Sequence, residues 1–145
     1  FPGLSQTKQF LNYFRKGLLL LSLTGIAVGG AVFLFAEIII QMFFAQEFQG
    51  SGEVLKILAL AIPIIFWGYL MTQSLVALDH NRIYLGITAF AVLLNVILNY
   101  WLIPEYGAEG AAIATVITEA LIPVSCIIMI LKHYFNLVSK KLKNL

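Results

Sequence analysis

Four polar residues, spaced at helical intervals in an apolar part of the sequence, are the strongest candidates for chemistry. Asn95 and Asn99 are four residues apart, as are Thr115 and Glu119, so each pair shares one face of a helix. A charged group inside a membrane span is costly, and a functional role for Glu119 is therefore the default hypothesis. Its carboxyl group could exchange a proton or bind a cation, or it could only hydrogen-bond to a neighbouring helix.

These residues lie in a chain whose composition is that of a membrane protein. Of its 145 residues, 61% are hydrophobic and 11% are charged, whereas soluble domains typically carry about 25% charged residues. The net charge of +2 excludes a broad basic surface for nucleic acid. One cysteine and two histidines cannot build a Cys/His zinc site, and we expect neither a metal nor a cofactor.

Four stretches with few or no charges are long enough to cross a hydrocarbon core about 30 Å thick as helices. The predicted fold is an all-α integral membrane bundle of four transmembrane helices. The predicted spans cover residues 18–37, 54–78, 83–103 and 110–131. A loop or interfacial lead-in is predicted over 1–17, the bundle over 18–131 and a basic cytoplasmic tail over 132–145.

Lys and Arg residues are concentrated on one side of this predicted bundle. Eight of the nine precede span one, lie between spans two and three, or follow span four, and only Lys56 is on the other side. Because the side richer in Lys and Arg is normally cytoplasmic, both ends of the segment are predicted to face the cytoplasm. The tail is predicted to be a juxtamembrane helix.

Spans three and four are predicted to form a hairpin whose polar residues lie at matching depths. Asn95 is about 12 Å from the outer end of span three, and Glu119 is about 14 Å from the outer end of span four. We therefore expect Asn95 beside Glu119, and Asn99 beside Thr115, as two polar rungs across the hairpin. The rungs either hold the hairpin together or line a polar cavity.

Prolines and small residues predict where the spans bend and pack. Pro63 and Pro123 are predicted to kink spans two and four, and Pro123 has no N–H to donate to the Glu119 carbonyl. Close packing is predicted at small residues of spans one and four: Gly25, Gly29, Gly110 and Ala114. The first two form a GxxxG motif, for which homodimerisation is the functional alternative.

The run NVILNYWLIPEYGAEGAAIATVITE, from Asn95 to Glu119, resembles the C-terminal part of polysaccharide biosynthesis flippases. These transporters belong to the multidrug/oligosaccharidyl-lipid/polysaccharide exporter superfamily and move lipid-linked oligosaccharides across the bacterial inner membrane. Their pattern is an Asn-rich span end, Ile-Pro, a Gly-containing turn, Gly-Ala-Ala-Ile-Ala-Thr and a Glu. The opening FPGLS also resembles the Phe-Pro-x-Leu-Ser that precedes the corresponding four spans.

The resemblance implies that the chain is the last four spans of a two-lobe transporter with about twelve helices. It implies alternating-access transport of a polyprenyl-diphosphate-linked oligosaccharide in the bacterial cytoplasmic membrane. The implied partners are the lipid bilayer, that substrate and the missing N-terminal helices of the same parent chain. No catalytic motif carries over, so we do not expect an enzyme.

Other functions stay open at this point. One is a multidrug or cation antiporter of the same fold, with Glu119 as the coupling carboxylate, and another is a small four-span exporter that works as a dimer. A membrane enzyme would need His, Asp, Arg or Ser converging at one depth. Outside the turn at Asp79 and His80, nothing converges in this way. A purely structural scaffold is the remaining alternative.

Overall fold

The described part of the chain is entirely helical apart from short connections. The structure is a computed structural model that describes residues 4–44, 48 and 50–143, with side chains described for 12–44, 48, 50–132, 135 and 139. Helix α1 spans Leu4–Phe43, α2 spans Ser51–Ala77 and α3 spans Asn81–Lys143. Each is long and apolar enough to cross a membrane. The prediction of an all-α membrane protein is therefore confirmed.

Helix α3 is interrupted at one residue and folds back on itself there. Gly107 has φ 56° and ψ −133°, a conformation that glycine adopts far more readily than other residues. A straight helix of 63 residues would be about 95 Å long, yet Asn95 hydrogen-bonds to Thr118. Residues 81–106 and 108–143, the first and second arms, thus form a hairpin. The sequence predicts four separate helices, whereas the structure has three helical runs, the last containing predicted spans three and four.

The N-terminal lead-in is helical from Leu4, where the sequence analysis allowed a loop. Residues 4–16 contain no Gly or Pro, and their Leu, Gln, Lys and Arg residues are good helix formers. The helix also continues beyond predicted span one to Phe43. The predicted tail belongs to the second arm as far as Lys143. Residues 1–3 and 144–145, at the two ends of these predicted segments, lie outside the described residues.

A tight turn of defined geometry connects α2 to α3. Asp79 has φ 60°, a left-handed conformation that Asp tolerates better than most residues. Its N–H donates to the Val76 carbonyl at 2.9 Å, and the His80 N–H donates to the Leu75 carbonyl at 3.2 Å. This pair of bonds is a Schellman motif, which satisfies carbonyls that the end of α2 would otherwise leave unpaired.

Helix α2 lies between α1 and α3 and packs against both. On the α1 side, a Cβ added to Gly29 would lie 2.9 Å from the Ala59 carbonyl oxygen. A Cβ added to Gly25 would lie 3.0 Å from Cα of Pro63. Only glycine permits this approach of the two backbones. The GxxxG face is therefore occupied within the chain, which leaves it unavailable for homodimerisation.

The interior of the bundle is small, and most of the large apolar side chains face outward. Leu75 and Cys126 are fully buried and form, with Met71, a cluster between α2 and the second arm. By contrast, Leu34 is 76% exposed and Leu23 is 70% exposed. An apolar surface of this extent indicates contact with lipid or with further helices.

Gly29→Leu is expected to destabilise the packing of α1 on α2, because the new side chain collides with the Ala59 carbonyl. Overpacking of this kind costs about 1–3 kcal/mol. The matched control is Gly30→Leu, since nothing lies within 4 Å of a Cβ placed on Gly30. Thermal unfolding in lipid nanodiscs should show a lower midpoint for Gly29→Leu only, and equal midpoints for the two variants would contradict this packing.

Candidate functional site

A side-chain hydrogen bond joins the two arms of α3. Nδ2 of Asn95 donates to Oγ1 of Thr118 over 3.1 Å, and Thr118 is 6% exposed. The Thr118 hydroxyl lies 2.9 and 3.0 Å from the carbonyl oxygens of Ala114 and Thr115, which share its proton. The buried hydroxyl is thus satisfied as both donor and acceptor, as a polar group in an apolar setting must be.

The other members of the predicted rungs bond within their own arms. Nδ2 of Asn99 lies 2.8 Å from the carbonyl oxygen of Asn95 and 2.9 Å from its Oδ1. The Thr115 hydroxyl donates to the Ala111 carbonyl at 3.0 Å. The predicted partners Asn99 and Thr115 are therefore not brought together. Among the described residues, one bond crosses the hairpin where the sequence analysis placed two rungs.

Helix rotation explains why Thr118, and not Glu119, is the partner of Asn95. Ala114 is fully buried, and a Cβ added to Gly110 would collide with the Leu102 carbonyl of the first arm. Gly110, Ala114 and Thr118 are spaced by four residues, so they share the face that packs on the first arm. Glu119 is turned about 100° away from that face. Depth from the span ends therefore predicts the correct turn of the helix but the wrong face.

Glu119 lies on the side of the second arm that faces α2. It is spaced seven residues from both Ala112 and Cys126, and these two are buried, with exposures of 3% and 0%. Pro123, one turn along, lies in contact with α2, since its Cδ is 3.7 Å from a Cβ placed on Gly68. Glu119 itself is half-buried. Within the described part of the chain, no hydrogen bond or ion pair is made by its carboxyl group.

Pro63 and Pro123 both lie inside continuous helices, where each removes one backbone donor. Because Pro63 has no N–H, the Ala59 carbonyl lacks its usual helical hydrogen bond, and this is the oxygen that approaches Gly29. The Glu119 carbonyl lacks its usual hydrogen bond in the same way, because Pro123 has no N–H. A half-buried carboxyl group and a backbone acceptor without its usual donor therefore belong to one residue. Such a site could hold a proton or a cation.

Two side-chain links between α1 and α2 were not predicted from the sequence. Nζ of Lys56 lies 2.7 Å from Oε1 of Glu37 and 2.8 Å from Oε1 of Glu53. Nε1 of Trp67 donates to Oγ of Ser22 at 2.7 Å. Lys56, the one Lys or Arg outside the predicted cytoplasmic side, thus links α2 to α1 through Glu37. No periodic signal in a single sequence identifies pairs so far apart along the chain.

The described titratable side chains are dispersed along the helices. Across the described residues, no group of three or more His, Cys, Asp and Glu side chains could hold a metal ion. Cys126 is a buried free thiol. The polar contacts of the described residues are those of a packed membrane bundle, in which the half-buried carboxyl group of Glu119 has no described partner.

Comparison with known proteins gives one family match and one curated relative. A protein-family model described as MatE matches residues 3–101. An uncharacterised membrane protein of Methanocaldococcus jannaschii is 33% identical over 136 residues, which are 91% of this chain and 32% of that protein. The chain therefore spans about a third of the length of this relative. No solved structure matches the chain.

The bond between Asn95 and Thr118 can be measured with a double-mutant cycle. We expect Asn95→Leu and Thr118→Val to be non-additive, with a coupling energy of about 0.6 kcal/mol, typical of interhelical hydrogen bonds in membranes. The control pairs Asn95→Leu with Thr115→Val, because the Thr115 hydroxyl bonds only within its own arm. Unfolding in bicelles gives the four free energies of each cycle. Additivity in both cycles would show that the bond contributes nothing to stability.

Proposed function

Because the chain belongs to the MatE family of membrane exporters, within the multidrug/oligosaccharidyl-lipid/polysaccharide exporter superfamily, we propose that it is part of a lipid-linked oligosaccharide flippase. Proteins of this family are transporters and not enzymes. The proposed substrate is a polyprenyl-diphosphate-linked oligosaccharide, a precursor of a cell-surface polysaccharide. The proposed location is the cytoplasmic membrane of a bacterium.

The proposed transporter contains more helices than those described for this chain. The two arms of α3 each cross the membrane, so that the chain has four spans and both of its ends face the cytoplasm. These spans form the C-terminal part of a two-lobe transporter of about twelve helices. In support, the chain matches 32% of the length of its relative from Methanocaldococcus jannaschii. The outward-facing apolar surfaces of α1 and α3 would contact lipid and the preceding helices of the parent chain.

The mechanism follows from the cost of moving a polar headgroup through hydrocarbon. Each hydroxyl and phosphate loses its hydrogen bonds to water on entering the lipid core, so unassisted crossing is prohibitively slow. A transporter supplies a polar path instead. Rocking of two lobes would open a cavity to one leaflet and then to the other, while the polyprenyl chain stays in the lipid. Rigid pairs of helices, such as the hairpin tied by Asn95 and Thr118, would move as units.

The observation that carries this proposal is the run from Asn95 to Glu119. Its sequence resembles the flippase pattern of an Asn-rich span end, Ile-Pro, a Gly turn, a small-residue face and a Glu. Three of these features have a part in the hairpin. Gly107 makes the turn, Gly110 allows the arms to approach and Asn95 bonds across them.

The experiment for this proposal uses the complete protein in proteoliposomes. A labelled polyprenyl-diphosphate oligosaccharide is placed in one leaflet, and its arrival in the other is followed with a membrane-impermeant enzyme that modifies the sugar. We expect transfer to be much faster than in protein-free liposomes, and a labelled phospholipid should show no acceleration. Equal transfer with and without the protein would refute the flippase function.

A multidrug or cation antiporter of the same fold is the second candidate. The half-buried carboxyl group of Glu119, without a described cationic partner, favours it, since a coupling carboxylate must be able to exchange a proton for another cation. The family match is equally compatible with this function.

For the antiporter, a lipophilic cation should drive proton release from proteoliposomes that contain the complete protein. We expect Glu119→Gln to abolish this release, because a glutamine amide does not bind and release a proton near neutral pH. Glu109→Gln is the matched control, since Glu109 is exposed beside the turn at Gly107. A pH-sensitive dye inside the vesicles reports the proton flux. Unchanged flux in Glu119→Gln would exclude this residue as the coupling site.

A further inference from the structure

Exposed cationic side chains from three helical segments lie together at one end of the bundle, here called the cationic end. They are Arg15 and Lys16 of α1, Arg82 of the first arm of α3 and Lys132 of the second arm. Near each of them in the sequence is a partly buried residue that packs against the core cluster of Met71, Leu75 and Cys126. These packed residues are Phe14, Leu18, Ile83 and Ile130. The functions proposed above assign the four cations no role.

Contacts between the helices place the four cations at similar depths. Gly17 of α1 faces Leu70, since a Cβ added to Gly17 would lie 3.7 Å from its Cδ1, and Gly68 faces Pro123 in the same way. Helix α1 runs antiparallel to α2 and the second arm runs parallel to it. The two contacts therefore align the cations of α1 and of the second arm with the last two turns of α2, within about 10 Å of its end. Arg82 is the second residue after the turn that follows α2.

The charge at the cationic end is mostly positive and is not neutralised within the described residues. None of the four cations makes an ion pair with a described residue. Asp79, which is exposed in the turn between α2 and α3, is the one described carboxylate at this end. The described charges at the opposite end are mostly negative, and Lys56 is the one cation there. Its acidic neighbours are Glu37, Glu53, Glu105 and Glu109.

Exposed apolar side chains lie immediately beside the cations, on the side towards the middle of the bundle. One turn along from Lys16, Leu20 is 64% exposed, and one turn along from Arg82, Leu85 is 68% exposed. On the second arm, Ile128 is 58% exposed, one turn before Lys132. Side chains of this kind contact lipid chains in a membrane span. The cations that border them are therefore level with the lipid headgroups.

We propose that the cationic end binds anionic phospholipid headgroups in preference to zwitterionic ones. Each Lys or Arg close to an anionic lipid surface strengthens binding about fivefold, because it attracts the phosphate charge. The distribution of Lys and Arg predicts that this end faces the cytoplasm, where the membrane leaflet contains anionic lipids. The proposal depends on neither the flippase nor the antiporter function.

The spacing of the cations favours a lipid surface over a single small anion. Helix α2 lies between α1 and α3, and packed helices are about 8–10 Å apart. The cations of α1 and of the second arm therefore lie on opposite sides of α2, too far apart for one phosphate to contact both. A bilayer presents a separate headgroup to each of them. Tyr13 is 65% exposed beside Arg15, and tyrosine is enriched at the headgroup level of membrane spans.

The test uses the complete protein in phosphatidylcholine nanodiscs that contain a trace of one photoreactive lipid. The two probes are phosphatidylglycerol and phosphatidylcholine with the same acyl chains, each with a diazirine close to the glycerol backbone. Mass spectrometry gives the crosslinking yield in the peptide that contains Arg82 and in the peptide that contains Glu109, at the opposite end. We expect the yield ratio of phosphatidylglycerol to phosphatidylcholine to be well above one at Arg82 and close to one at Glu109. Salt at 1 M should lower the first ratio by screening.

Four variants separate charge from structure. Arg82→Gln should lower the ratio at its own peptide about fivefold, whereas Arg82→Lys keeps the charge and should keep the ratio. Asp79→Asn should raise the ratio, because it removes the carboxylate while Asn also tolerates the φ of 60°. Glu109→Gln makes the same change of charge at the opposite end and should leave the ratio at Arg82 unchanged.

Equal yields of the two probes at Arg82 in the wild-type protein, or an unchanged ratio in Arg82→Gln, would overturn the proposal. Loss of the preference in Arg82→Lys as well would also overturn it, since that result indicates a structural role for arginine. A third contrary result is displacement of the phosphatidylglycerol probe by polyprenyl diphosphate but not by an equal amount of unlabelled phosphatidylglycerol. That outcome would assign the cationic end to a diphosphate lipid instead.

Discussion

The absence of water from the hydrocarbon core is the constraint on which the structure depends, because each backbone N–H and carbonyl at that depth needs a partner within the protein. Continuous helices meet this need, and the described chain leaves the helical conformation only at short connections. At the end of α2, the Schellman motif around Asp79 pairs the last carbonyls. Polar side chains obey the same rule, since Asn95 bonds to Thr118 and Trp67 to Ser22.

Close approach of helices replaces the hydrophobic effect as the source of cohesion, since lipid chains are as apolar as the side chains they contact. Glycines therefore lie at close contacts on both sides of α2. Gly25 and Gly29 of α1 meet Pro63 and Ala59 of α2, and Gly68 of α2 meets Pro123 of the second arm. Because glycine has no Cβ, the helices approach closely there and many weak dispersion contacts form around these points. Because α2 lies between α1 and α3, apolar side chains on the outer faces of α1 and α3 remain available to contact lipid or further helices.

Segment length and composition predict an all-α membrane protein, but not which side of a helix each residue faces. The apolar stretches lie within the observed helices, because the length needed to cross a membrane is set by geometry, but their bounds differ and the last two stretches belong to one helical run. The lead-in was harder, since the helix formers of residues 4–16 have no long apolar run to mark them. Depth placed Asn95 within one residue of its partner, but a shift of one residue rotates a side chain by about 100°. Thr118 could be found only from the small-residue face it shares with Ala114.

The distribution of positive charge limits which part of the proposed substrate these helices can hold. Lys56 is the described cation near the start of α2, and two carboxylates already engage it. The remaining cations of the candidate spans lie at their predicted cytoplasmic ends: Arg15, Lys16, Arg82 and Lys132. A diphosphate at mid-membrane depth would therefore find no available cation on the described parts of these helices. In the proposed two-lobe flippase, the diphosphate would therefore be held by cationic side chains elsewhere in the parent chain.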